Sequence, residues 1–170
     1  TIECWEMALE NFNTPSVLTL TRQKLSPIRK EFGKENKCSL GAYEILRTNE
    51  KIDLTIFASG SEVSLAIDVS HKLATQNTHS KVISVPCQEL FDKQKVDYQT
   101  KILDENKNKI SIEASTTDTW KKYIGNNGIS FGLNDFGKSA PYKEIYKNFK
   151  LTVDDIVKST QEMIRENNQD

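Results

Sequence analysis

At 170 residues the chain is long enough to bury a sizeable core, and its length favours one domain with an extra piece. Its 23 lysines and arginines against 24 acidic residues leave a net charge of -1, so no global field draws it to nucleic acid or to an anionic membrane. No apolar run is long enough to span a bilayer and no signal-peptide pattern stands at the start, so no helical membrane span is expected.

The chain opens Thr1-Ile2-Glu3, inside a helical pattern and without a methionine, which predicts a piece of something longer. Ile2, Trp5, Leu9 and Phe12 recur at helical spacing, so the first dozen residues read as an amphipathic helix. Asn13-Thr14-Pro15 ends it, and Val17-Leu18-Thr19-Leu20 predicts a short buried strand. One helix and one strand cannot make a core, so they are expected to complete a sheet whose other strands lie elsewhere. Across residues 23–39, Lys24, Arg29, Lys30, Lys34 and Lys37 mix with Glu31, Glu35, Pro27 and Gly33, and apolar residues are few. This predicts a solvated linker whose charge run is a wet face.

A second unit begins near Leu40. Ala42–Leu46 and Leu54–Ala58 read as strands, and the polar connection between them is too short for a crossover. They are therefore expected to pair antiparallel in hairpin fashion. From there the rhythm alternates. Val63, Ala66, Ile67, Ser70, Leu73 and Ala74 mark a helix face, and Val82–Val85 is the next strand. Helical residues from Leu90 to Leu103 lead to the strand Ile110–Ile112, and a short helix around Trp120 leads to Ile129–Phe131. Strands alternating with helices predict an α/β fold: a three-layer, doubly wound mixed sheet, mostly parallel with one antiparallel edge strand. Thr152 reads as the cap of the last helix, with Asp154 and Asp155 in its positive first turn and Val153, Ile156, Val157, Thr160 and Ile164 on its buried face. The polar end, Arg165 to Asp170, is expected to fray.

Cys4, Cys38 and Cys87 are odd in number and widely spaced, which suits neither a disulfide framework nor a zinc site and reads as reduced, cytoplasmic thiols. His71 and His79 have no partner pattern for metal or nucleophilic chemistry. Ser59-Gly60-Ser61-Glu62 sits at a strand-to-helix turn, where free amides can bind an anion; the blander reading is that Ser61 caps the helix and Glu62 favours its dipole. Glu113 follows an apolar strand at the end where doubly wound sheets place ligands. It is either an acid or base, or a carboxylate satisfied by loop amides. Gly125, Gly128, Gly132 and Gly137 are expected to serve turns and close backbone approach. Ala140-Pro141 reads as a helix start capped by Ser139. Arg22, just after the first predicted strand, is either a surface arginine or a guanidinium placed to grip a phosphate through two parallel hydrogen bonds.

Six blocks in order resemble the C-terminal part of transketolase: Leu20-Thr21-Arg22-Gln23-Lys24-Leu25, Ala58 to Val63, Val85-Pro86 with Phe91 to Gln94, Glu113-Ala114, Trp120 to Gly128, and Phe136 to Pro141. The resemblance implies that residues 1–22 close the domain that binds the cofactor's pyrimidine ring, 23–39 link, and 40–170 form the C-terminal domain. It implies that the parent enzyme moves a two-carbon ketol unit from a ketose phosphate such as xylulose 5-phosphate to an aldose phosphate such as ribose 5-phosphate. The cofactor implied is thiamine diphosphate with Mg2+ or Ca2+, the assembly a homodimer, and Arg22 the holder of the sugar's terminal phosphate. No catalytic residue or metal ligand of the family falls in this chain, so the piece alone is expected to be inactive.

The chain departs from the family pattern at four places. Ser59 stands for a threonine, Cys87 for a serine, Asp104 for a proline and Lys150 for a glycine, and the last leaves the turn into the final helix open. Two other readings stand beside this one. One is the C-terminal module of a related thiamine enzyme, such as deoxyxylulose-phosphate synthase or the β chain of a 2-oxo acid dehydrogenase. The other is a non-catalytic anion-binding or dimerisation domain.

Overall fold

A computed structural model describes residues 1–29, 33 and 35–169. Lys30, Glu31 and Lys34 of the expected linker, and Asp170, lie outside the described residues. Helix α1 spans Ile2–Glu10, and a 3-10 turn at Lys37–Leu40 opens the larger unit. Then follow β1 (Tyr43–Arg47), β2 (Leu54–Ala58), α2 (Glu62–Ala74), β3 (Ser80–Ser84), α3 (Gln88–Asp92), α4 (Val96–Leu103) and β4 (Lys109–Ile112). A 3-10 turn at Asp118–Trp120 leads into α5 (Lys121–Ile124), and β5 (Ile129–Phe131), α6 (Tyr142–Asn148) and α7 (Val153–Asn167) complete the chain.

The five strands form one sheet in the order β1-β3-β2-β4-β5. β1 alone runs antiparallel, paired with β3; the β2–β3, β2–β4 and β4–β5 pairs are parallel. Alternation along the strands sends successive side chains to opposite layers. Leu54, Ile56, Ala58, Val82, Ile110 and Ile112 face α2 and α7. Phe57 and Ile83 face α3, α4 and α5, against Phe91, Ile102, Trp120 and Tyr123. Both layers are buried, and the mixed three-layer sheet is the expected fold class. Trp120 is 1 % exposed, so truncating it to alanine costs about 3–5 kcal/mol.

The hairpin expectation is corrected. β1 and β2 are not neighbours, because β3 lies between them. A central position demands a strand buried on both faces, and all five residues of β3 are buried, whereas β1 ends in an exposed arginine.

Three further expectations give way to local geometry. Val17–Leu20 is extended but pairs with no strand among the described residues, and Val17 is 89 % exposed. A strand needs a ladder partner, and this segment meets none. α1 likewise buries none of its residues and leaves Ile2 and Leu9 on the surface, with Phe12 exposed just beyond it. Ser139 does not cap α6: Pro141 occupies the cap position with ψ 138, so the helix starts at Tyr142. The end of α7 does not fray up to Asn167, which is buried and donates to Asn108 Oδ1 at 2.9 Å. Its start is as expected, with Thr152 Oγ1 accepting from the Asp155 amide at 3.3 Å.

Candidate functional site

β2 leads into α2 on one face and β4 leads into α5 on the other, so the crevice between the carboxyl ends of β2 and β4 is where this topology places ligands. The chain fills that crevice itself. Glu62, 5 % exposed, accepts the Ala114 amide at 3.1 Å through Oε2, and the Ser61 and Tyr146 hydroxyls donate to its Oε1. Burial first, then the neighbouring carboxylate, pushes the Tyr146 phenol well above its ordinary range. The Glu62 and Val63 amides donate to the Ser59 and Gly60 carbonyls at 3.2 and 3.4 Å. A resident carboxylate and committed amides disfavour an incoming anion. Ser61 likewise makes no side-chain cap, since its hydroxyl goes to Glu62.

Glu113, the half-buried neighbour at the end of β4, accepts the Trp120 indole N–H at 2.8 Å. Its donor is thus a neutral side chain rather than a loop amide, and this contact anchors the largest side chain of the layer formed by α3, α4 and α5. Gly128 is required by close approach: a Cβ there would lie 2.6 Å from the Lys109 carbonyl and 2.7 Å from that of Ile124. Gly132 is similarly confined by Ser115.

Arg22 makes none of these crevice contacts. Thr21 Oγ1 accepts the Gln23 amide at 3.2 Å, making a small bend with Arg22 exposed at its apex. Among the described residues it makes no ion pair. Arg29 differs from the wet-face expectation. It pairs with Glu3 and lies over the Tyr43 ring, 5.4 Å from its centre, so the connection is fastened to both α1 and β1.

At the opposite, amino end of the strands an open groove of about 400 Å3 is lined by Asp53, Asn77, Thr78, Asn106 and Asn108. The short amides and hydroxyls there mainly close the strand starts: Asn108 donates to the Asp53 carbonyl and Asn106 to that of Ile52, both at 3.1 Å. His71 is exposed, and among the described residues no three His, Cys, Asp or Glu side chains converge to hold a metal ion. No helix among them is long and apolar enough to cross a membrane.

Tyr146 is the crevice residue that sequence reading missed. It comes from α6, 84 positions after its partner. The signal available was the Tyr142/Tyr146 spacing, which puts two aromatics on one helix face and in edge-to-face contact at 5.9 Å.

The family model described as the Transketolase-like TK C-terminal domain matches residues 41–152. A transketolase of Sinorhizobium medicae is 40% identical over 97% of this chain, which covers 24% of that protein. Transketolase from Leishmania mexicana superposes with a TM-score of 0.84 at 36% identity, over 96% of this chain and 23% of that one. A Pichia stipitis transketolase in complex with sedoheptulose 7-phosphate gives 0.87 at 34% identity, over 98% of this chain and 24% of that one. The chain thus spans about a quarter of the length of the relatives it matches. Family model, relatives and superposed structures agree: the chain belongs to the transketolase family and carries its C-terminal domain.

Proposed function

We propose that this chain is the C-terminal part of a transketolase that transfers a two-carbon ketol unit between sugar phosphates, and that its direct part in the reaction is phosphate recognition by Arg22. The observation that carries the reading is the 40% identity to a transketolase across nearly the whole chain. The bound sedoheptulose 7-phosphate of the Pichia stipitis enzyme supports a phosphorylated sugar as the substrate class. A guanidinium is suited to that task because its fork makes two parallel, charge-assisted bonds to one phosphate. Among the described residues no carboxylate pairs with it.

Thiamine diphosphate with Mg2+ or Ca2+ supplies the carbanion chemistry in the proposed parent. Among the described residues no three His, Cys, Asp or Glu side chains converge to offer that group a metal site. Its ligands are proposed to lie outside residues 1–170, in a cytoplasmic homodimer. Within this chain, residues 1–22 are proposed to finish the pyrimidine-binding domain, 23–39 to link, and 40–170 to act as a scaffold whose ligand crevice Glu62 closes.

The test is Arg22→Ala in the parent enzyme. Sugar-phosphate binding should weaken while thiamine diphosphate affinity stays unchanged; equal affinity for phosphorylated substrate in both proteins removes Arg22 from the site. Turnover by residues 1–170 alone with thiamine diphosphate would overturn the division of labour.

A further inference from the structure

Glu3 on α1 is bound at both of its carboxylate oxygens by residues far along the chain. Arg29 pairs with Oε1, and the Cys38 amide, in the 3-10 turn that opens the larger unit, donates to Oε2 at 3.1 Å. Asn36 adds a second strut, its side chain donating to the Glu3 carbonyl at 2.9 Å and to Glu6 Oε2 at 2.7 Å. Arg29 also lies over the Tyr43 ring on β1, and Ile28 beside it packs on the core that faces α2 and α7. Burial works against the Glu3 charge, but the bonds to Arg29 and Cys38 outweigh it and hold the carboxyl below its ordinary range. The clasp is therefore ionised at neutral pH. The Glu3–Arg29 bond joins residues 26 positions apart and so closes a loop. Arg22 lies in that loop, on the bend that Thr21 and Gln23 make shortly before Ile28.

We propose that Glu3 and Arg29 are positioning residues for phosphate recognition: their clasp closes the loop that carries Arg22 and holds its guanidinium where it meets the sugar phosphate, a role that rests on Arg22 being the phosphate holder. Closing a loop removes arrangements open to its residues, so part of the ordering of Arg22 is met before substrate arrives. Pro27 stiffens the run between the bend and the clasp, because its ring fixes φ. The sign of the effect separates positioning from charge. By charge alone, removing a carboxylate strengthens the pull of the site on a phosphate. Opening the loop weakens the grip instead.

The test is a set of double-mutant cycles in the parent enzyme, built on Glu3→Gln, which keeps the shape of the side chain and one acceptor oxygen but cannot form the ion pair. Glu3→Gln should raise KM for phosphorylated sugars by about 3- to 10-fold, the cost of ordering one long side chain on binding, with kcat little changed. KM for an unphosphorylated acceptor should stay the same. Arg29→Ala should give a rise of similar size, and the two together no more than either alone. In the Arg22→Ala background Glu3→Gln should add nothing. An unchanged or lowered KM in Glu3→Gln, where Arg22→Ala does raise it, overturns the clasp's role and leaves Arg22 as the phosphate holder. An equal rise for the unphosphorylated acceptor, or the full further rise on top of Arg22→Ala, marks a general structural effect and overturns it too. No effect of Arg22→Ala itself removes Arg22 from the site, and the clasp's role with it.

Discussion

The ammonium of Lys81 lies 2.7 Å from the carboxylate of Asp104, buried to 2 % exposure beneath the sheet. The same ammonium donates to the Ile102 carbonyl at 3.0 Å at the end of α4, and Thr55 Oγ1 donates to the same Asp104 oxygen at 3.0 Å. Asp104 is the counterion that makes a lysine tolerable on an interior strand. Removing it strands a buried charge. Asp104→Ala should cost about 2–4 kcal/mol, below the range for fully buried pairs because Asp104 keeps 26 % exposure. Lys81→Met combined with Asp104→Ala should recover most of that loss. Urea unfolding of the single and double variants measures both, and an additive double variant would refute the pairing.

Glu62 makes a different prediction. Its oxygens serve Ala114, Ser61 and Tyr146, so Glu62→Ala leaves half-buried donors unpaired and should cost about 1–3 kcal/mol. Tyr146→Phe removes one donor and should cost about 1 kcal/mol. Amide exchange localises the loss: the Ala114 amide should lose protection in Glu62→Ala and keep it in Tyr146→Phe.

Lys150 makes the turn into the last helix without a glycine. It adopts φ 56, and the Leu151 amide donates to the Tyr146 carbonyl at 2.8 Å while the Lys150 amide donates to that of Lys147 at 3.2 Å. This double bond pattern is a Schellman ending, which favours glycine at the left-handed position. Lys150→Gly should therefore stabilise the chain by about 0.5–1 kcal/mol, after the unfolded-state entropy of glycine is set against the relieved strain. A fall in the denaturation midpoint would count against the assignment.

Alkaline pH should weaken the fold through its buried phenols. Burial first, with Asp92 adding and Lys122 opposing, pushes Tyr123 up to about 12. The folded chain then holds a proton that the unfolded chain releases near pH ~10, so this stability is complete below about pH 10 and is lost as pH rises through about 12. Tyr146 is raised further and acts in the same direction. Unfolding midpoints measured across that window should fall less steeply in Tyr123→Phe than in the parent; identical slopes would exclude the phenol as a cause.

For Arg22 the expected size follows from charge-assisted bonding. Arg22→Ala in the parent should raise KM for phosphorylated sugars by about 10- to 100-fold with kcat little changed, the result of losing about 1.5–3 kcal/mol of binding to a charged group. Arg22→Lys should restore only part of this, because an ammonium cannot make two parallel bonds. A rise of equal size for an unphosphorylated acceptor would show that Arg22 does not read the phosphate.

What the amino-acid order determined by itself were the local elements of the larger unit. Leu54–Ala58 and Ile129–Phe131 are strands where the apolar runs placed them, and the last helix begins at Thr152 because a hydroxyl cap and two carboxylates act within one turn. Short-range steric and hydrogen-bond preferences suffice for that. Pairing was not legible there. The insertion of β3 between β1 and β2, the closing of the crevice by Glu62 and Tyr146, and the bond from the Cys38 amide to Glu3 all join residues far apart along the chain. Such contacts depend on which faces the layers leave to be covered, so only the tertiary structure decides them. Val17–Leu20 shows the same reason in reverse: an apolar run with strand propensity stays an unpaired, exposed segment when the described chain gives it nothing to pair with.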